Sequence, residues 1–345
     1  MKIGLFDHIE RADRPIATTF DERLKFAVAA DEAGFYCLHI AEHHATPLNM
    51  VPVPGVYMGA LARLTKRMRL GPMVYLLPLY SPLRLVEEIC MLDHLSYGRL
   101  EVGVGRGVSP FELNYHKIAP DDSRDIFLDA FACLKAGLAG DSFSYAGKYF
   151  NYSDVPMPLR PLQQPSPAFW YGSSNTVGST FAGEQGLHFA TNGPVSRAKV
   201  NIDAFRVALA KRGSPAHPKP EFRGGAAIGI SRNIVVADTD AARIARPALA
   251  HLHANLNYLR NLNVGSDFAA RLNIPHSATF EDSVKDGTII AGSPATVLAE
   301  IERQVNALGL NYMLAYLFFG TMSLPDALRS LALFSTEVMP KLTDL

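Results

Sequence analysis

The chain has 345 residues, and 33 Lys plus Arg are balanced by 33 Asp plus Glu. That balance leaves no basic excess for gripping a polyanion or an anionic bilayer, so neither nucleic acid nor membrane is expected as a partner. Hydrophobic residues at 48% against 19% charged suit a large buried core and one elaborated α/β domain over residues 1–345.

Strand and helix patterns alternate from the start. Lys2 to Phe6 reads as a first strand, followed by a helix opening at Thr19 with Glu22 as a capping box, and a second strand at Tyr36 to Ala41. Met68 to Leu76 reads as the third strand, and Ser81-Pro82 opens a helix to Leu95. Leu100 to Val104 is the fourth strand, with a helix from Ser123 to about Leu138 after it. Phe143 to Tyr152 has the pattern of a small inserted hairpin, and the proline-rich stretch 153–168 reads as a surface loop. Strands five to eight are expected at Phe169 to Tyr171, Leu187 to Ala190, Ile228 to Val236 and Tyr312 to Phe318. Helices are expected from Ser293-Pro294 to Gly309 and from Ser323 to Glu337. Eight βα units predict a (β/α)8 TIM barrel with insertions at about 107–122, 141–168 and 240–290; a doubly wound sheet is the rival architecture.

Cys37, Cys90 and Cys133 lie far apart in apolar stretches, in neither a CxxC nor a disulfide spacing, which predicts reduced core thiols and a cytoplasmic location. Asp7 and His8 come too early for the apolar run of a signal peptide, and no later run approaches about 18 apolar residues.

Barrel enzymes place their chemistry at strand C-termini. Candidates there are Asp7-His8, Glu42-His43-His44, Arg106, and Ser173-Ser174-Asn175. Period-2 alternation turns Cys37, His39, Ala41 and His43 toward the barrel interior, leaving His43 at the rim as a general acid/base or as a hydrogen-bonded strand-end histidine. Adjacent His43 and His44 point to opposite faces and share a zinc ion poorly, so no metal is expected. Gly103-Val104-Gly105-Arg106-Gly107 is compatible with phosphate binding or with a plain tight turn. Gly172 to Thr176 offers small residues before a helix start, either an anion site or simple capping, and Arg124 adds a positive charge or pairs with a neighbouring Asp. Met73, Val74, Tyr75 and Phe318-Phe319 are candidates for a dry wall against a planar ring, or for core.

The segments Ala33-Gly34-Phe35 into Ile40-Ala41-Glu42-His43-His44, Leu92 to Arg99 into Gly103 to Gly107, Ala291-Gly292-Ser293-Pro294, and Leu333 to Pro340 occur together in this order. The chain resembles the bacterial luciferase-like flavin monooxygenases over nearly its whole length. The resemblance implies a usually dimeric (β/α)8 barrel that receives reduced FMN from a separate NAD(P)H-dependent flavin reductase. With O2 at flavin carbon C4a, it would transfer one oxygen to a small, fairly apolar substrate. His43 matches the catalytic histidine and Glu42 the acidic residue before it. Arg106 and Arg124 match phosphate-binding arginines, and Gly172, Ser173, Ser174, Asn175 and Gly178 fall in the phosphate turn. Met73-Val74 match a pair beneath the flavin, often joined by a non-proline cis peptide. His8, Glu112 and Phe318 are assigned to the substrate pocket. Two departures stand out: Gly105 occupies the place of luciferase's reactive cysteine, and Asn175 replaces a serine. A deazaflavin-dependent oxidoreductase and a non-catalytic flavin-binding relative remain the alternatives.

Overall fold

The computed structural model describes residues 1–261 and 279–343. In chain order the elements are β1 (Lys2–Asp7), α1 (Ile16–Ala33), β2 (Cys37–Ile40), α2 (Pro54–Leu64), β3 (Arg69–Pro72), β4 (Tyr75–Leu76), α3 (Pro82–Leu95), β5 (Val102–Gly105), α4 (Pro110–Tyr115), α5 (Ser123–Ala139), β6 (Ser142–Ala146), β7 (Asn151–Pro156) and β8 (Phe169–Gly172). They continue with α6 (Thr176–Gln185), β9 (His188–Thr191), α7 (Val195–Arg212), β10 (Ile228–Val236), α8 (Ala241–Asn261), α9 (Phe280–Lys285), β11 (Ile289–Gly292), α10 (Pro294–Leu308), β12 (Tyr312–Tyr316) and α11 (Leu324–Leu333).

Parallel strands run in the order β3-β2-β1-β12-β10-β9-β8-β5-β4. The expected third strand is broken in two. Its first half, β3, pairs with β2, and its second half, β4, pairs with β5. The ring closes where Leu70 N–H donates to Arg99 O at 3.0 Å and Glu101 N–H donates to Leu70 O at 2.8 Å. With β3 and β4 taken as one broken strand, this is the eight-fold barrel. The closure has a steric condition: a Cβ on Gly103 would lie 2.2 Å from Pro72 O, and one on Gly105 would lie 2.4 Å from Val74 Cγ2. Only glycine allows the two backbones this close.

β10 changes partners along one edge, pairing with β9 at Ile228 to Ile230 and with β11 at Asn233 to Val236. β11 was not anticipated. It begins at the end of the 240–290 segment expected as an insertion and runs to Gly292, and a four-residue apolar run carries little periodic signal; residues 262–278 of that segment lie outside the described residues. The capping box at Thr19 is corrected too, since α1 starts at Ile16 and the Thr19 hydroxyl donates back to Pro15 O at 3.4 Å. The inserted hairpin is present as antiparallel β6 and β7. Among the described residues no helix is long and apolar enough to cross a membrane. All three cysteines are free and buried.

The barrel floor is polar, with Glu101 fully buried and its two cationic partners partly exposed. Glu101 accepts from Trp170 Nε1 at 2.7 Å and pairs with Arg69 and Lys219. His39 faces inward, as alternation requires, with its Nε2 2.8 Å from the Tyr312 hydroxyl. Burial alone would raise the Glu101 pKa, but Arg69 and Lys219 outweigh it and hold the carboxyl at about 2. A depressed carboxylate pKa contributes stability above the ordinary value and loses it as pH falls through the folded value. Glu101→Gln leaves two cations uncompensated and is expected to cost roughly 3–5 kcal/mol at neutral pH. Denaturant melts of both proteins should show that gap closing as pH falls from 4.5, the ordinary value, toward about 2; a pH-independent gap would disprove the assignment.

Candidate active site

A cavity of about 680 Å3 opens at the C-terminal ends of the strands. Its wall includes His8 after β1, Glu42 and His43 after β2, Met73-Val74 between β3 and β4, Gly105 to Val108 after β5, Gly172 to Asn175 after β8, and Thr191 to Gly193 after β9. Alternation along β12 adds Leu314 and Tyr316 from the inside of the barrel.

Two Glu–His pairs organise the rim. His43 Nδ1 lies 3.0 Å from Glu112 Oε1, which also accepts from the His44 backbone N–H at 2.8 Å. His44 turns the other way, its Nε2 2.8 Å from Glu42 Oε1. The second Glu42 oxygen accepts from the Tyr80 hydroxyl at 2.8 Å and from Leu76 N–H at 3.2 Å. Burial raises the Glu42 pKa against these donors. For His44 burial acts downward, yet the hydrogen bond and charge of Glu42 carry its pKa upward overall. Glu42 therefore lines the cavity while both oxygens hold neighbouring structure. Because the two histidines diverge, they share no metal, and no group of three or more His, Cys, Asp or Glu among the described residues could hold one.

His8 stacks on His43 with ring centroids 5.6 Å apart and planes at 21°. Burial, then the neighbouring His43 and Arg23, hold the His8 pKa well below the usual histidine value, so its ring is neutral. Behind it lies a buried cluster: Arg23 is 3.1 Å from both Asp7 oxygens and 3.6 Å from Glu10. Burial raises both carboxyl pKa values against the Arg23 charge.

At the opposite side, Arg106, Arg124 and the Ser173-Ser174-Asn175 turn share the cavity. Burial raises the Tyr171 phenol pKa, and the charges of Arg106 and Arg124 act against that rise. Asn175 caps α6, its Oδ1 accepting from Gly178 N–H at 2.9 Å. This end thus combines two cations with the positive end of a helix, the donor set of a phosphate site. Between the two ends lie Met73 and Val74, joined by a cis peptide.

Two expectations are corrected. Glu112 is only 1% exposed and lies behind His43, not on the cavity wall, because the short helix α4, capped by Ser109, turns it inward. Phe318 is 2% exposed and packs on Phe26 at 5.3 Å in the core, since β12 ends at Tyr316 and alternation no longer aims the ring at the cavity. The wall also contains residues not singled out individually from the sequence: Thr191-Asn192-Gly193, and Leu249, Leu252, His253 and Leu256 of α8, which fall in the 240–290 segment expected to line the pocket. The first group follows a strand end and carries the same positional signal as Ser173; the α8 face carries a helical spacing.

Comparison with known proteins gives the family. The family profile described as luciferase-like monooxygenase matches residues 1–311. Limonene 1,2-monooxygenase of Rhodococcus erythropolis is 28% identical over 96% of this chain and 83% of its own length. The corresponding figures for 2,5-diketocamphane 1,2-monooxygenase 1 of Pseudomonas putida are 27%, 99% and 99%. The oxygenating constituent of 3,6-diketocamphane monooxygenase from Pseudomonas putida, solved with FMN, superimposes with a TM-score of 0.83 at 24% identity, covering 99% of this chain and 98% of that one. On sequence and fold together, the chain belongs to the luciferase-like monooxygenase family.

Proposed function

We propose that the protein is an FMN-dependent monooxygenase that adds one oxygen atom from O2 to a small, fairly apolar organic substrate. The observation that carries this reading is the polarity of one cavity, with two arginines and a helix start at one end and the Glu112-supported His43 at the other. The donor set fits FMN: Arg106, Arg124, Ser173, Ser174 and the N–H groups at the start of α6 would hold its phosphate, with Met73-Val74 and Gly172 beside its ring. Reduced FMN, delivered by a separate NAD(P)H-dependent reductase, supplies the activation of O2 and the oxygen transfer. By family resemblance the protein works as a homodimer in the cytoplasm.

The chain's own part is binding, orientation and proton handling. Glu112 accepts at Nδ1 of His43, which fixes the ring and leaves Nε2 to exchange a proton at the cavity. Neutral His8, stacked on His43, adds a wall without adding charge. Glu42 holds His44 and the β4 backbone, so we assign it positioning and not proton transfer. The apolar lining from Phe6, Leu48, Leu314 and Tyr316 keeps bulk water from the reacting oxygen.

Removing one charge-assisted phosphate contact costs about 1.5–3 kcal/mol, so Arg106→Ala and Arg124→Ala should each weaken FMN binding roughly 10- to 100-fold in fluorescence titrations. Unchanged FMN affinity in both variants would refute the phosphate assignment, and preference of the wild type for a deazaflavin cofactor would replace FMN. His43→Ala is expected to retain FMN and lose roughly a hundredfold in product formation when assayed with a generic reductase, NADH and terpenoid ketones. Glu112→Ala should reproduce most of that loss, while Glu112→Gln, which keeps an acceptor for Nδ1, should restore part of it; equal activity of all three with the wild type would remove the pair from the mechanism.

A further inference from the structure

We propose that one face of α8 gauges the size of the substrate's hydrocarbon body, admitting compact bodies over larger ones. The inference rests on the monooxygenase reading above and specifies the substrate side of the same cavity. Leu249, Leu252 and Leu256 recur at helical spacing and all line the cavity. Leu249 and Leu252 belong to the apolar cluster that also contains Leu48 and Tyr316, with Phe6 and Leu256 packed against it. From Pro247 to Tyr258 the helix bears no Asp, Glu, Lys or Arg. Set against the three leucines, a hydrocarbon surface is buried favourably, whereas a charged group would lose its hydration with no return from them. Arg106 and Arg124 belong to the end assigned to phosphate, while Arg232 of β10 and His253 of α8 also line the cavity, so what the leucines read is the size of the hydrocarbon part and not the charge of the whole substrate.

The depth of that wall is set by a contact outside the cavity. Gly320, in the turn between β12 and α11, has φ +57°, and a Cβ there would lie 2.0 Å from the Ala248 carbonyl oxygen. Its N–H donates to Glu10 Oε2 at 2.9 Å, and Glu10 faces Arg23 in the buried charge cluster. The turn and α8 therefore touch backbone to backbone, one residue before Leu249. A cluster with no proton-handling role in the mechanism thus has a structural one: Glu10 and Arg23 hold the turn, the turn holds α8, and α8 holds the leucines at a fixed distance from Tyr316 and Phe6. Gly320 is in this sense a positioning residue.

The test uses the full-length protein and four probes of increasing size: cyclopentanone, cyclohexanone, cyclooctanone and cyclododecanone. Binding of each is measured by calorimetry with FMN present and absent, alongside FMN affinity and, with reductase and NADH, turnover. Leu252→Ala and Leu249→Ala should raise the affinity ratio of the largest to the smallest ketone about tenfold or more, Leu252→Phe should lower it comparably, and FMN affinity should stay within about twofold. Gly320→Ala should raise KM for every ketone more than it lowers kcat; should it fail to fold, the leucine series still decides. An unchanged size ratio in all the leucine variants would overturn the proposal, as would a wild type that binds FMN but none of the ketones. Failure of the wild type to bind FMN would defeat the monooxygenase reading instead, and the ketone ratios without FMN would still test the gauge.

Discussion

The active end of this barrel depends on how closely the broken third strand approaches β5. Because β3 pairs with β2 and β4 with β5, the chain steps sideways at Met73-Val74, and the barrel closes only if β5 offers no side chain in the way. Gly103 and Gly105 meet that condition, each with a would-be Cβ under 2.5 Å from an atom of the broken strand, at 2.2 Å and 2.4 Å. The same step puts Met73 and Val74 between the cationic and histidine ends of the cavity, while the residue after Gly105, Arg106, arrives at the phosphate end. A glycine pair that the sequence shows only as a weak turn motif thus sets the closure, the floor and one binding group together.

Two buried charge clusters bracket the barrel axis. On the floor, Glu101 faces two cations and is held ionised; near the rim, Arg23 faces Asp7 and Glu10, whose carboxyl pKa values are raised by burial. Their energetics differ accordingly. The floor cluster is a strongly paired anion whose loss unbalances two neighbours. The rim cluster shares one guanidinium between two carboxylates and spends its remaining hydrogen bonds on backbone, notably Gly320 N–H and Phe318 O, so its effect is to hold loops in place.

Legibility in the sequence followed physical signal strength. The βα alternation was readable because strand and helix periods are distinct over most of the chain, and the inward set Cys37, His39, Ala41 and His43 followed from alternation along β2. Arg106, Arg124 and the Ser173 turn were readable as strand-end and helix-start residues, though their joint use of one cavity rested on family resemblance until the structure placed them there. Glu112 was misplaced because its partnership with His43 spans 69 positions in sequence and depends on how α4 folds back, which no local pattern encodes. Phe318 was misplaced by extending alternation two residues past the end of β12. β11 and the individual residues of the α8 wall escaped for different reasons, the strand being too short to show a period and the helix being interrupted by Pro247.

The contact between Gly105 and Val74 also bears on the order in which such sites diverge. Val74 Cγ2 occupies the space into which a side chain at 105 would grow. A thiol at that position, as in the luminous branch of the family, is therefore not one substitution away from this protein. Val74 would first have to become smaller, and that change would loosen the floor of the cavity before any gain from the thiol existed. The two positions are sterically coupled in this chain, so a side chain at 105 requires a smaller or re-oriented one at 74.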